Sequence, residues 1–252
     1  MMLRFVLAAA LLAQAAGLSA QTLDEIVAKN LEARGGVAKL KAIQSARMTG
    51  TMTMGQGMEA AMAMEFKRPK MVRTEFTIQG LTAVQAYDGK SGWQIMPFMG
   101  KKDPEPMSAD DLKDMEEQAD VEGELVDWKE KGHKVELLGK EKIEGTDAWK
   151  LRVTLNNGTV KTEWLDADSS LEIREESKRK IQGNEQEIVT TLGDYKEVSG
   201  LMVPHSFESK AKGGTGGGQK VVLKTVEFNV PVDAGRFKMP EPKPAEPAAP
   251  KK

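Results

Sequence analysis

The feature that most constrains the fold is a run of alternating residues within positions 148–180. Apolar Trp149, Leu151 and Val153 are separated by polar residues, and this period of two is typical of a strand with one buried face. The Asn-Asn-Gly sequence at 156–158 favours a tight hairpin turn, because Asn and Gly tolerate positive φ angles. A second strand at 160–164, a turn at 166–170 and a third strand to 180 follow. The region therefore predicts an antiparallel meander.

The rest of the chain extends this pattern to about eleven strands. Strands are expected at 45–54, 58–66, 72–78, 81–87, 93–97 and from 134, and again at 185–195, 201–210 and 219–230. Thr22 and Glu25 form a capping box that begins a helix, and Gly35-Gly36 ends it. Ser108 is expected to cap a second helix that runs to about residue 118. Residues 100–106 are charged and contain proline, so a loop is expected there. The prediction is a mainly β fold with a few short α-helices.

The chain divides into three predicted segments. Residues 1–20 contain a basic Arg4, an apolar run and small residues ending at Ala20, which is typical of a secretory signal peptide. Residues 21–239 are expected to form one domain. Residues 240–252 consist mostly of Pro, Ala, Glu and Lys and predict a disordered tail. Since the chain has no cysteine, we expect no disulfide and no thiol-linked lipid anchor, and a soluble periplasmic monomer.

Composition and motifs argue against several classes of function. The net charge is −2 and aromatic residues make up 5% of the chain, so binding to nucleic acid is not expected. His133 and His205 lie outside any metal-binding spacing and are expected at the surface or in turns. No sequence such as GxSxG places a serine in a recognised nucleophile setting. We therefore expect neither an enzyme nor a bound metal or cofactor.

The predicted helices cover less area than one face of the predicted sheet presents. About eleven strands of ordinary length present a sheet face of roughly 1,400 Å², whereas three short helices shield roughly 500 Å². Either the sheet closes into a barrel, or an apolar hollow remains that the helices cover only in part. The second arrangement would form a ligand cavity in the mouth of an incomplete barrel.

Several local features carry a resemblance to a known family. They are the helix that ends at Gly35-Gly36, the turn at 87–93 that contains Asp88 and Gly89, the Met-Pro-Phe segment at 96–98, and the helical interruption between two sets of strands. In these features, residues 22–240 resemble the outer-membrane lipoprotein-sorting-protein-like family. The resemblance implies the LolA/LolB-like fold, a curved antiparallel half-open barrel with helices covering its concave side. It also implies a lipoprotein carrier, a receptor or an envelope-stress sensor.

Methionine is concentrated in the strands that are expected to line such a hollow. Flexible thioether side chains suit a wall that repacks around acyl chains. Ordinary core packing also explains them, and a copper(I) site is a third alternative, since soft thioethers select this ion. The residues expected to line the cavity are Met52, Met54, Met62, Met64, Phe66, Phe76, Ile78, Trp93, Ile95, Trp149, Leu151 and Trp164.

The sequence therefore favours a periplasmic carrier or binder of the acyl chains of a lipid or lipoprotein, with a role in lipoprotein sorting and outer-membrane biogenesis. The alternative is a non-enzymatic envelope interaction or stress-sensing module whose cavity is vestigial. Envelope membrane proteins would be its partners. The two hypotheses differ in whether the protein carries lipid when it is purified from the cell envelope.

Overall fold

The computed structural model describes residues 21–55, 57–181, 183–214 and 218–241. The predicted signal peptide at 1–20 lies outside the described residues, and so do residues 242–252 of the predicted tail. In the described ranges, two helices precede the first strand and a third interrupts the strands; they are α1 (Leu23–Ala33), α2 (Val37–Ala42) and α3 (Ala109–Gln118). Short 3₁₀ helices occupy Pro97–Met99 and Ala234–Phe237.

Helix α1 begins and ends as its sequence predicts. The Thr22 hydroxyl accepts a hydrogen bond from the Glu25 amide, and the Glu25 carboxylate accepts one from the Thr22 amide, so the capping box is confirmed. After the helix, Gly35 has a φ angle of 111°. A Cβ atom at this position would lie 2.3 Å from the Gly200 carbonyl oxygen. Glycine is required here because of both the backbone conformation and this close approach.

Thirteen strands form one antiparallel sheet. In spatial order it runs β6-β5-β4-β3-β2-β1-β13-β12-β11-β10-β9-β8-β7, so β1 and β13 join the two halves of the chain and β6 and β7 are the edges. The strands are β1 (Ser45–Met54), β2 (Met58–Lys67), β3 (Met71–Ile78), β4 (Leu81–Tyr87), β5 (Gly92–Met96), β6 (Lys101–Pro106), β7 (Lys134–Ile143), β8 (Thr146–Thr154), β9 (Val160–Asp166), β10 (Glu172–Ile181), β11 (Asn184–Val198), β12 (Leu201–Ala211) and β13 (Gln219–Phe228).

The predicted fold class is confirmed: the protein is mainly β, and its single sheet stays open. The strand count differs, since the loop expected at 100–106 contains β6. This strand pairs with β5 alone, and proline is tolerated on an edge strand because no neighbour needs its missing N–H group. A second difference is His205, which was expected at the surface or in a turn but is buried in β12.

The largest buried cluster on the inner face of the sheet lies over β7, β8 and β9. There α1, α2 and the turn-rich segment 119–133 contribute branched aliphatic side chains that meet those of the strands; the buried members include Ile26, Val27, Leu31, Leu40, Leu125, Val126, Val135, Leu151, Val153 and Leu165. We call this region the aliphatic core. A second buried cluster lies where Met115 of α3 contacts Phe66, Val72 and Tyr87. Burial of this apolar surface holds the helices against the sheet.

Candidate functional site

The inner face of β1–β5 carries six of the fifteen methionines of the chain. In β1, side chains alternate across the sheet, so Met48, Met52 and Met54 share one face. Strand pairing then places Met64 of β2 directly opposite Met48. We call Met48, Met52, Met54, Met62, Met64 and Met96 the methionine wall.

A cavity of about 1180 Å³ lies against the methionine wall. It exceeds the usual range for small-molecule pockets, roughly 300–1,000 Å³. Helix α3 contributes Asp114 and Gln118 to the opposite side, and Gly55 after β1 and Gly218 before β13 also line it. The hollow therefore lies between the sheet and the covering helix and extends to the hairpin end of β1 and β13.

Seven of the twelve residues expected to line a cavity do lie around this one. They come from three adjacent strands and are Met52, Met54, Met62, Met64, Phe66, Phe76 and Ile78. Their common position follows from the strand register, because Met62 faces Phe76 across β2 and β3. Leu223 and Phe207, which were not predicted, extend the apolar lining onto β13 and β12.

The other five predicted residues lie away from the cavity. Trp93 and Ile95 belong to a separate cluster with Val84 and Ala86, and the Trp93 indole donates a 2.8 Å hydrogen bond to the Phe237 carbonyl. Leu151 and Trp149 pack in or against the aliphatic core. Trp164 lies between two residues that do line the cavity, Glu163 and Leu165, so its side chain points to the other face of β9.

The far end of the cavity is polar, which the sequence did not reveal. Its lining includes Asn30, Arg34, Glu124, Glu163, Glu172 and Glu175, which we call the polar end. The inner face of β9 carries Lys161, Glu163 and Leu165, whereas a charge-based interpretation of the strand assigns it to Val160, Thr162 and Trp164. To predict the polar end, one would have to recognise that Lys161 and Glu163 are buried although they are ionisable. The alternation of polar and apolar residues does not contain this information.

Two of the cations near the polar end form ion pairs, while the third, Arg34, donates a 2.8 Å hydrogen bond to the Glu122 carbonyl. Lys161 Nζ lies 2.8 Å from Glu124 Oε1 and 3.2 Å from Glu175 Oε2. Arg179 Nη1 lies 2.6 Å from Asp114 Oδ1 and makes a second ion pair with α3. Pairing compensates for the loss of hydration that buried charges suffer.

The buried carboxyl groups of the polar end differ in protonation. Burial alone would raise the pKa of Glu124, but the charge and hydrogen bond of Lys161 lower it to about 2. Burial raises the pKa of Glu163 well above its usual value, and the charge of Glu124 adds to the effect. The pKa of Glu172 is raised in the same way by burial and by Glu175. Glu124 is therefore ionised at neutral pH, while burial favours the neutral form of Glu163 and Glu172.

The side chains and helices of the described residues bear on two further kinds of site. No group of three or more His, Cys, Asp or Glu side chains in the described ranges could hold a metal ion. Among the same residues, none of the helices has the length and apolar character needed to cross a membrane.

Comparisons with known proteins identify the fold. No protein-family model matches the chain, and no curated protein matches it. Among solved structures, a LolA superfamily protein from Nitrosomonas europaea is 13% identical with a TM-score of 0.59, over 87% of this chain and 98% of that one. A lipoprotein-sorting-protein domain from Vibrio parahaemolyticus is 14% identical with a TM-score of 0.57, over 84% of this chain and 94% of that one.

A protein of the DUF1329 family from Desulfovibrio piger is 12% identical with a TM-score of 0.59, over 85% of this chain and 96% of that one. Likeness at such low identity shows the fold alone. The resemblance inferred from the sequence is thus confirmed for the fold: the chain has the LolA-like architecture.

Proposed function

We propose that the protein binds the acyl chains of a lipid or lipoprotein in the cavity beneath α3 and carries them through the periplasm. The observation that carries this proposal is the cavity itself: about 1180 Å³ of space with a wall of flexible thioether side chains. Thioether side chains adapt to irregular apolar shapes better than branched ones. The LolA-like fold and the predicted signal peptide support the same function.

Two variants test the proposal; each places one negative charge on β3, but on opposite faces of the strand. Phe76 lines the cavity, while its neighbour Thr77 points to the other face, where its hydroxyl contacts that of Thr82. In Phe76→Asp, loss of the apolar contact should weaken binding of a fluorescent fatty acid about 10- to 100-fold, given the free energy of burying a large apolar side chain. Thr77→Asp adds the same charge outside the cavity and should bind as the wild type does.

Native mass spectrometry of protein purified from the cell envelope provides the second test. A carrier should retain copurifying lipid, and Phe76→Asp should lose it. Wild-type protein that is repeatedly lipid-free and does not bind the fluorescent probe would contradict the carrier function. That result would favour the envelope interaction or stress-sensing alternative instead.

A further inference from the structure

The polar end contains more hydrogen-bond acceptors than the protein satisfies. The Asn30 amide nitrogen donates a 2.8 Å hydrogen bond to the Ser170 carbonyl, but Asn30 Oδ1 accepts none from any described residue. Glu163 Oε1 and Glu172 Oε1 are also buried and accept none from the residues that the structure describes. Buried polar atoms in native proteins nearly always have hydrogen-bond partners. We therefore expect these three acceptors, which lie at one end of a cavity, to receive hydrogen bonds from donors outside the chain.

These acceptors are built into the site. Asn30 is 1% exposed and Glu163 is 2% exposed, and both line the same cavity as the methionine wall. They are contributed by α1 and by the adjacent strands β9 and β10, in which Glu172 pairs with Leu165 just before a register shift. A ligand that fills the cavity would therefore place one part against thioethers and another against oxygen acceptors.

The charges at this end favour a neutral partner. Lys161 pairs with both Glu124 and Glu175, and Arg34 adds a second positive charge to the same lining. Arg179 pairs with Asp114 and Glu117 of α3. Glu163 and Glu172 form no salt bridge with any group in the described ranges, and burial raises the pKa of both, which favours their neutral form. With two cations facing two carboxylates, an anionic head would add an uncompensated charge to a buried site. An ammonium group would first require ionisation of a buried acid, which is unfavourable.

We propose that the polar end is a subsite for the head of the bound lipid, and that it selects an uncharged head with hydroxyl or amide donors, such as a glycerol ester. This inference rests on the proposed function and specifies its ligand. The donors of the head bond to Asn30 Oδ1 and to the carboxyl oxygens of Glu163 and Glu172, while the acyl chain lies along the methionine wall.

Three ligands with one alkyl chain length and different heads test the selectivity: monopalmitoylglycerol, palmitic acid and hexadecylamine. Each would compete with a bound fluorescent acyl probe at neutral pH. We expect the neutral ester to have a Kd about tenfold lower than either charged ligand, which corresponds to one or two well-made hydrogen bonds. Tighter binding of the acid or the amine, or equal binding of all three, would overturn the subsite while leaving the carrier function intact. Displacement by none of them would overturn both.

Substitutions at Glu163 separate hydrogen bonding from charge. Glu163→Leu removes the acceptor and should raise the Kd for monopalmitoylglycerol about tenfold, with little effect on palmitic acid. Glu163→Gln keeps a neutral group with an acceptor and a donor, and should restore most of the affinity for the ester. If the Gln variant is as impaired as the Leu variant, or if Leu leaves the preference unchanged, the assignment fails.

Two more variants, one at a second unmatched acceptor and one at the surface, show whether the loss of affinity comes from misfolding of a single variant. Glu172→Leu should give the same selective loss for the ester, because Glu172 carries the neighbouring unmatched acceptor. Glu197→Leu makes the same substitution at an exposed position on β11 and should leave all three affinities unchanged. If the Glu197 variant also loses its preference for the ester, the loss does not depend on the unmatched acceptors, and the subsite is overturned.

Discussion

Two regions of one sheet bury their inner faces in different ways. Over β7–β9, the strands meet helices and the segment 119–133 through Leu, Ile and Val, and Leu151, Val153 and Val126 are fully buried. Over β1–β5, the inner face carries methionine and borders an empty volume of about 1180 Å³. Branched side chains have few rotamers and pack into one arrangement, whereas methionine adapts. Thioethers are thus concentrated on the wall over β1–β5, while branched residues such as Leu125 and Leu165 both fill the core and border the same space.

The largest expected effect comes from truncating one residue in each region. Leu151→Ala opens a void in the aliphatic core and should lower the free energy of unfolding by about 2–5 kcal/mol. Met64→Ala borders space that is already present, so it encloses no new cavity and should cost less than about 2 kcal/mol. Urea unfolding of both variants measures the difference. Equal losses would mean that the methionine wall is packed as tightly as the core.

The next effect concerns the charged boundary between the two regions. In the folded protein the pKa of Glu163 is well above that of an unfolded glutamate, because the residue is buried near Glu124, Glu172 and Glu175, with Lys161 acting in the opposite direction. Between these two pKa values the folded state keeps a proton that the unfolded state releases. The free energy of unfolding therefore falls as the pH rises through this window.

Glu163→Gln cannot ionise, so it should remove this part of the pH dependence. We expect the variant to exceed the wild type in unfolding free energy by at least about 1 kcal/mol near about pH 8, and to differ little near about pH 4. Urea unfolding at both pH values checks this, with Glu197→Gln as an exposed control. A difference that does not change with pH would show that Glu163 ionises normally in the folded state.

The sequence predicts the two regions to different extents. The alternation of apolar and polar residues predicts the position of nearly every strand. The methionine wall follows from the recurrence of methionine at every second position in parts of β1 and β2. Helix α3 was also predicted, from Ser108 as its capping residue. In the structure the Ser108 side chain accepts the capping hydrogen bond from the Asp111 amide. These features are local, because each depends on residues close together in the chain.

The polar end could not be predicted because its causes are distant in sequence. Glu163 and Lys161 face inward, and Lys161 does so because Glu124 and Glu175 neutralise it there. Hydropathy alone assigns such residues to solvent and reverses the faces of β9. The edge strand β6 was missed for a different reason: Pro104 and Pro106 indicate a loop, and only its position at the margin of the sheet makes a strand possible.

The smallest expected effect tests why the wall is methionine rather than leucine. Met62→Leu and Met64→Leu conserve volume and apolar character, so each should change the free energy of unfolding by less than about 1.5 kcal/mol. The rotamers of leucine are fewer, and a double variant should lose about threefold in affinity for kinked or branched acyl chains while binding straight chains as before. Met58→Leu, an exposed residue of the same strand, is the matched control. Competition assays with straight and unsaturated fatty acids measure the ratio; if both classes bind the double variant equally well, adaptability is not the reason for the thioethers, and their contribution is apolar surface alone.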